Sequence, residues 1–385
     1  MLVTYVTPNG SWHYIYARAM HRAGCLRRFV CGRSRFSPRA PLPEFGDKLL
    51  RYDHIQNFYL ASLKFRLPHV LSEELTYLSK IWLDRGATRD ARASDLFFFY
   101  SGAGLRTLHA LQGTHTVGVV EAVNSHVLVQ ERILREEHER LKIPLHGFHR
   151  REVARRVREF ELADGVICPS TFTRRSFIEQ GMDPARVRTV PFGMDLAVKR
   201  EPVDRPADVF RVLFVGQINI RKGLRYLFEA FKQFQHPRKE LWIVGPKTAQ
   251  TGIEDMTPPE GTRFLGVLKG EALSRAYLSC HVFVLPTIEE GLALVIGEAL
   301  AHGLPVITTV NSGAEDLFQE GVSGFIVPIR SPEAIAGKLQ LLADDRAMLE
   351  KLSSQAIAHE NTRSWDVAGG ELIAALNDFT RMPKS

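Results

Sequence analysis

Short apolar runs alternate with longer amphipathic stretches through the second half of the chain. Residues 209–215 (VFRVLFV) are continuous, β-branched and aromatic, the pattern of a strand buried on both faces. A glycine-containing turn, GQINIRKG, follows, and residues 224–234 then take up a helical period. The alternation continues. A strand over 241–244 (LWIV) closes on Gly245-Pro246, and a short strand over 262–265 precedes Gly266. A helix over 271–279 leads to a strand over 282–285 (VFVL) that stops at Pro286. A helix over 294–301 and strands over 305–308 (PVIT) and 324–327 (GFIV) complete the series. Ser331 stands where it can cap a helix over 332–342, with Pro332 at the first position. Strands and helices at this spacing predict a parallel sheet covered on both faces.

The first half repeats the theme less cleanly. Strands are expected over 2–7, 96–100 (LFFFY), 116–123 (TVGVVEAV), 165–168 (GVIC) and 187–190, with helices over 14–23 and from Ser170 to Gln180. The charged stretch 130–162 reads as helix interrupted near Pro144 and Gly147, while residues 36–92 give no assignable pattern. Residues 195–208, rich in proline and charge, read as a linker. The expected organisation is α/β, with one domain over 1–195, a second over 196–365, and a closing helix within 366–385.

With 385 residues, 45% of them hydrophobic and 24% charged, the chain has apolar material for two ordinary cores. No apolar run is long enough to span a membrane. The start is not a secretory signal, because Pro8, Asn9 and Gly10 break its apolar stretch and no basic region precedes it. Cys25, Cys31, Cys168 and Cys280 form neither a CxxC pair nor a zinc pattern, which suits reduced thiols in a cytoplasmic protein. The net charge of +7 is uneven: residues 1–200 hold 31 Lys and Arg against 20 Asp and Glu, a balance of +11. No acid precedes Glu44. Such a face draws in nucleic acid, an anionic membrane or an acidic substrate, or simply keeps the protein in solution. No nucleic-acid-binding motif accompanies it. Trp12, Tyr14 and Tyr16 beside the early arginines tilt the reading to peripheral membrane contact.

Ligands of open α/β sheets bind beyond the carboxyl ends of the strands, which selects the loops to inspect. The loop after residue 215 carries Gly216, Arg221, Lys222 and Gly223. Its glycines admit a ligand to the backbone, and Lys222 near a helix start suits phosphate, although a solvated lysine looks the same. The loop after residue 285 is richer: PTIEEGLALVIGEALAHGLPVI. Glu290 is expected before a helix and Glu298 two turns into it, eight residues apart, or about 12 Å if helical. Each carboxylate can accept hydrogen bonds from a polyol. Glu298, among Val295, Ile296, Ala299 and Leu300, either points to solvent or binds something. Free amides at the helix start can hold a diphosphate.

Glu290 and Glu298, with seven residues between them and Ala-His-Gly303-Leu-Pro305-Val-Ile after, resemble the signature of retaining GT-B glycosyltransferases of glycosyltransferase family four. FVGQINIRKG, VICPSTFTRRSFIEQG, VPFGMD, GVSGFIVP and the Ser-Trp at Trp365 also resemble pieces of that family. The resemblance covers residues from about 165 to 370, and the first 160 only loosely. It implies two Rossmann-like domains facing across a cleft and transfer of a sugar from a nucleotide diphosphate-sugar, with retention and without a metal. Glu298 would bind the ribose, Glu290 the donor sugar, and Lys222 the leaving diphosphate. Gly291, Leu292, Ala293 and Leu294 would hold phosphate and sugar, with the base near Gly266 and Val267. Gly216, Arg221 and Gly245 would complete the donor site. His126 best matches a histidine the family uses near the reacting sugar, and Gly10 would face the diphosphate. The acceptor, a glycan or lipid-linked molecule of cell-surface polysaccharide synthesis, would bind the first domain. Two departures stand out: Gln217 where the family has a basic residue, and Ala293 for a glycine, tolerable if its φ is negative. No Asp-x-Asp triplet occurs. A non-catalytic nucleotide-sugar-binding subunit and a sugar-nucleotide epimerase share this architecture. A dinucleotide oxidoreductase lacks its G-x-G-x-x-G here.

Overall fold

The computed structural model describes the chain except residues 9, 11, 38–42, 66–68, 195–197, 200–202, 204, 207, 359–362 and 383–385. The proposed linker thus lies partly outside the described residues. The N-terminal sheet contains β1 (Val3–Thr7), β2 (Leu26–Cys31), β3 (Leu49–Arg51), β4 (Leu96–Tyr100), β5 (Val117–Glu121), β6 (Gly165–Cys168) and β7 (Val187–Thr189). Its order is β3-β2-β1-β4-β5-β6-β7 and its pairs are parallel. Its helices are α1 (Trp12–Arg22), α2 (His54–Lys64), α3 (His69–Ala91), α4 (Leu105–Leu111), α5 (Val127–Leu141), α6 (Arg150–Leu162) and α7 (Thr171–Glu179). The second sheet contains β8 (Phe210–Val215), β9 (Lys239–Val244), β10 (Thr262–Gly266), β11 (Val282–Leu285), β12 (Val306–Thr309) and β13 (Gly324–Val327). It runs β10-β9-β8-β11-β12-β13, again parallel. With it go α8 (Leu224–Gln233), α9 (Gly270–Leu278), α10 (Leu294–Ala301), α11 (Pro332–Asp344) and α12 (Arg346–Ala358), and α13 (Trp365–Arg381) ends the chain.

Burial of both sheet faces explains the apolar runs. In β4, Phe98 stacks on Tyr5 at 5.0 Å in one layer, while Phe97 and Phe99 join Val6 and Val30 in the other. The three phenylalanines are fully buried, each worth about 1.5–3 kcal/mol of transfer free energy. The last helix, α13, returns to the first domain. Leu372, Leu376 and Phe379 enter the layer of Tyr5 and Phe98, and a Cβ on Gly165 would lie 2.3 Å from the Phe379 ring.

Several expectations change. Strand β2 (LRRFVC) went unread because Arg27 and Arg28 interrupt it; Arg28 pairs with Asp90 at 3.1 Å while Leu26, Phe29 and Val30 are buried. Residues 43–91 supply a 3-10 turn, β3, α2 and α3. Ser331 precedes α11 but its side chain makes no capping hydrogen bond, and the helix runs on to Asp344. The aromatic residues of α1 are packing groups. Tyr16 is 2% exposed and meets Trp365 edge-on at 5.9 Å, Trp12 packs on Phe192 and Tyr14 on Phe29. Trp12 and Tyr14 remain partly exposed. Among the described residues no helix is long and apolar enough to cross one.

Candidate functional site

Strand order reverses between β1 and β4 in the first sheet and between β8 and β11 in the second. Ligand crevices of such sheets open at these reversals. After β8, Asn219 accepts the Lys222 N–H at 3.0 Å and caps a 3-10 turn, Ile220–Lys222. Gly223 ends it at φ 67°, and a Cβ there would lie 2.0 Å from the Pro286 carbonyl. Glycine is thus required both for the backbone angle and for the approach of the two loops. The approach is sealed by the Arg221 carbonyl, which accepts the Ile288 N–H at 2.8 Å and the Thr287 hydroxyl at 3.0 Å.

This contact carries two cations to two carboxylates. Lys222 donates its ammonium to Glu290 Oε2. Arg221 Nη1 lies 3.4 Å from Glu290 Oε1 and 3.5 Å from Glu289 Oε2. Burial alone would raise the Glu290 pKa, but Arg221 and Lys222 outweigh it and hold the carboxyl below its usual value. Glu289, absent from the expected set, is fully buried between the domains. It accepts the Ser125 hydroxyl at 2.8 Å and the Gln130 amide at 3.0 Å. Two residues on, the chain also touches the first domain: the Gly291 carbonyl accepts from Ser170 and Thr173 at 2.5 and 3.2 Å.

The loop 286–293 is not helical, and α10 starts at Leu294. Glu298 therefore sits one turn into the helix rather than two, and the 12 Å estimate for a continuous helix does not apply. Glu298 accepts the Tyr277 hydroxyl at 3.0 Å, and burial raises its pKa. Ala293 caps α10 by position with φ −82°, so alanine sits there without strain. Leu292 and Leu294 pack on the Tyr5 layer of the first domain.

The remaining glycines expected at the donor line the carboxyl edge of β8, β9 and β10. A Cβ on Gly216 would rest 3.8 Å from Lys222 Cε, an ordinary contact, whereas one on Gly245 would strike the Gly216 carbonyl. Gly266 accepts the Gly245 N–H at 2.8 Å, and Val267 beside it is 57% exposed. Across the cleft, Gly10 lies after β1 with the Arg33 guanidinium where its Cβ would be. His126 stands apart. Its Nδ1 accepts the Leu128 N–H at 3.3 Å, and its ring packs on Phe160 and Phe177 at 4.9 and 5.1 Å. Burial, reinforced by Arg156, lowers its pKa to about 4. Those ring partners all belong to the first domain.

A second group lies at the carboxyl edge of β1 and β5. Glu121 Oε2 accepts the Tyr5 hydroxyl at 2.7 Å and lies 3.1 Å from His13 Nδ1. Both His13 and Glu121 are buried; Glu121 Oε1 lies 3.1 Å from His13 Nδ1, and among the described residues His13 Nε2 has no hydrogen-bond partner. With its proton on Nδ1, His13 presents a free lone pair at Nε2. Glu121 was detectable in the sequence as an acid inside an apolar strand, the same signal that marks Glu298.

Residues 197–359 match the family described as Glycosyl transferases group 1. The chain is 29% identical to a D-inositol 3-phosphate glycosyltransferase of Streptomyces griseus over 54% of its own length and 47% of the relative's. It is 32% identical to a sulfoquinovosyl transferase of Arabidopsis thaliana over 40% of this chain and 30% of that one. It spans about half the length of the curated relatives it matches. Among solved structures, sucrose-phosphate synthase from Thermosynechococcus elongatus superimposes with TM-score 0.69 at 18% identity, covering 99% of both chains. Anabaena HepE in complex with UDP-glucose gives TM-score 0.65 at 15% identity, covering 98% of this chain and all of that one. The architecture is the GT-B fold, two parallel-sheet α/β domains.

Proposed function

We propose that the chain is a retaining glycosyltransferase that moves a sugar from a nucleotide diphosphate-sugar to a hydroxyl-bearing acceptor. The observation that carries this reading is the convergence of Arg221 and Lys222 on Glu290 at the strand-order reversal of the second sheet. The family match over the same segment supports it. In the transfer, an acceptor oxygen bonds to the anomeric carbon as the bond from that carbon to the diphosphate oxygen breaks. Negative charge grows on the departing diphosphate, where Lys222, Arg221 and the first amides of α10 meet it. These two cations supply the positive charge, so the reaction runs without a metal ion. Glu290 leaves Lys222 free for phosphate as the donor enters and accepts from a sugar hydroxyl, while Glu298 accepts from the ribose.

The acceptor lies against the first domain. Its hydroxyl proton passes to the departing diphosphate or to His13 Nε2, which Glu121 orients. HepE holds UDP-glucose and the Streptomyces relative is named for inositol 3-phosphate, so UDP-sugars are the first donors to try and a phosphate-bearing acceptor suits the basic domain. Work at the inner membrane face on cell-surface glycans fits these properties, and four free, buried cysteines suit a reducing compartment.

Calorimetry with UDP-, GDP- and ADP-sugars on the wild type and Glu298→Ala tests the donor site. Binding of one nucleotide class, abolished in the variant, is the expected result. Binding that survives Glu298→Ala, or none at all by folded protein, would remove the assignment. Analysis of the product then separates transfer from epimerisation and from binding alone.

A further inference from the structure

The two carboxylates that follow β11 are held in opposite ways. Glu290 meets two cations, Arg221 and Lys222. Glu298 pairs with no cation among the described residues. The hydrogen bond its side chain makes there comes from the Tyr277 hydroxyl, which donates to Oε2 at 3.0 Å and leaves Oε1 open. Glu298 is half-buried, whereas Tyr277 is 1% exposed. A cation would compete with an entering ligand for both carboxylate oxygens. A phenol takes one lone pair and leaves the others to accept from hydroxyl groups.

The Tyr277 ring is fixed on both sides. It lies 6.0 Å from the Phe283 ring of β11 and stacks on His302 at 4.7 Å. His302 is fixed in turn: its Nδ1 donates to the Glu298 backbone carbonyl at 2.7 Å, and its Nε2 meets Ser274 Oγ at 2.9 Å. Ser274 and Tyr277 stand three apart on α9 and so share a face. Helix α9 thus holds Glu298 twice, by the carboxylate through Tyr277 and by the backbone through Ser274 and His302. Burial raises the Glu298 pKa, and the Tyr277 hydrogen bond lowers it. Burial and the neighbouring Glu298 push the Tyr277 pKa well above its ordinary value, so the phenol keeps its proton and remains a donor. The other groups nearby leave this balance alone. Glu271 and Arg275 of α9 pair with each other, and β11 and β12 carry no titratable side chain. On α12, Arg346 lies over the Phe210 ring, and Glu350 and Lys351 are exposed.

We infer that Tyr277 is a positioning residue for the donor, holding the Glu298 carboxylate ionised and turned so that its open acceptors meet the two ribose hydroxyls. Ionised, the carboxylate accepts from both hydroxyls. Protonated, it gives up an acceptor and no longer matches a diol. Through Glu298, Tyr277 therefore sets how strictly the site selects a ribonucleotide over its deoxy forms. A site built to hydrogen-bond a hydroxyl discriminates against the analogue that lacks it, because its own polar group is then left unpaired. This inference rests on the reading of Glu298 as the ribose ligand, and the experiment separates the two.

The test is calorimetry of the full chain with UDP, GDP and ADP, and then with the dideoxy form of the nucleotide that binds, which lacks both ribose hydroxyls. The proteins are the wild type, Tyr277→Phe, Glu298→Gln and the double variant. Tyr277→Phe keeps the ring and its stacking, and its melting temperature is measured in parallel. The expected result is about tenfold weaker binding of the ribonucleotide by Tyr277→Phe. Adding Tyr277→Phe to Glu298→Gln should cost nothing further, and the dideoxy form should bind wild type and Tyr277→Phe equally. The pH below which ribonucleotide binding weakens should rise in Tyr277→Phe, since the carboxyl loses the hydrogen bond that favours its ionised form. The nucleotide's own phosphates titrate alike against both proteins. Equal ribonucleotide binding by wild type and Tyr277→Phe overturns the positioning role. So does an equal loss for the ribose and dideoxy forms, the mark of a damaged fold, while Glu298→Gln still reports on the ribose contact. Binding that Glu298→Gln leaves unchanged, or none of the three nucleotides bound by folded protein, overturns the ribose reading and this inference with it.

Discussion

Ser125 of the first domain donates its hydroxyl to Glu289 of the second at 2.8 Å, and the receiving carboxylate is completely buried. Gln130 adds a second cross-domain hydrogen bond to the same group. Glu289→Ala leaves these donors unsatisfied, at about 1–3 kcal/mol each. We expect the domains to spend more time apart, with a larger radius of gyration by small-angle scattering and a lower melting temperature. Unchanged scattering would show that Glu289 does not hold the domains together.

The ion pair beside it makes a different prediction. Lys222→Met removes a charge needed most when the diphosphate departs, so kcat should fall roughly 10²–10³-fold, more than donor affinity does. Steady-state release of nucleoside diphosphate reports both. A fall in affinity alone, with kcat intact, would mean that Lys222 only binds the donor.

Gly291 cannot carry a side chain while the domains are closed. A Cβ there would lie 1.8 Å from the Val123 carbonyl, which is backbone and cannot swing away. Gly291→Ala should therefore hold the cleft open, cutting transfer by at least an order of magnitude while the second domain stays folded by circular dichroism. Full activity in this variant would show that turnover does not need the closed arrangement.

His126 supplies a pH dependence. Its pKa is about 4 in the folded chain against an ordinary 6.5, chiefly through burial. Between these values the unfolded chain binds more protons, so stability rises with pH across the window. The contribution is complete above 6.5 and lost as pH falls through 4, amounting to at most roughly 3 kcal/mol. His281, lowered to about 3 by burial and Arg205, adds the same sign. His126→Asn should flatten the denaturation free energy against pH without abolishing the slope. An unchanged slope would show that His126 is not buried neutral.

The second domain was legible because its strands are continuous apolar runs ended by glycine or proline, as in VFVL before Pro286. The contact of Lys222 with Glu290 was legible too, since both residues stand in loops at strand ends that the topology places side by side. Strand β2 was not recognisable because two successive arginines, Arg27 and Arg28, mimic a loop, although Arg28 reaches along the surface to Asp90. Glu289 was overlooked beside Glu290, as nothing in the dipeptide Glu-Glu says which carboxylate turns to the other domain. His126 illustrates the converse. Its place after a strand matches a catalytic position, but Phe160 and Phe177, some 35 and 50 residues away in sequence, decide where the ring goes.

The return of α13 to the first domain has a consequence for biosynthesis. Leu372, Leu376 and Phe379 complete a layer that otherwise comes from residues made early, among them Val3, Tyr5 and Leu26. On the ribosome the first domain must therefore wait, one side of its sheet covered by α1 and Phe45 but not yet by α13, until the whole second domain has emerged. The second domain's core contains none of these three residues and can close first. The order of translation and the order of consolidation are thus opposed, and the nascent first domain is the part most in need of a chaperone.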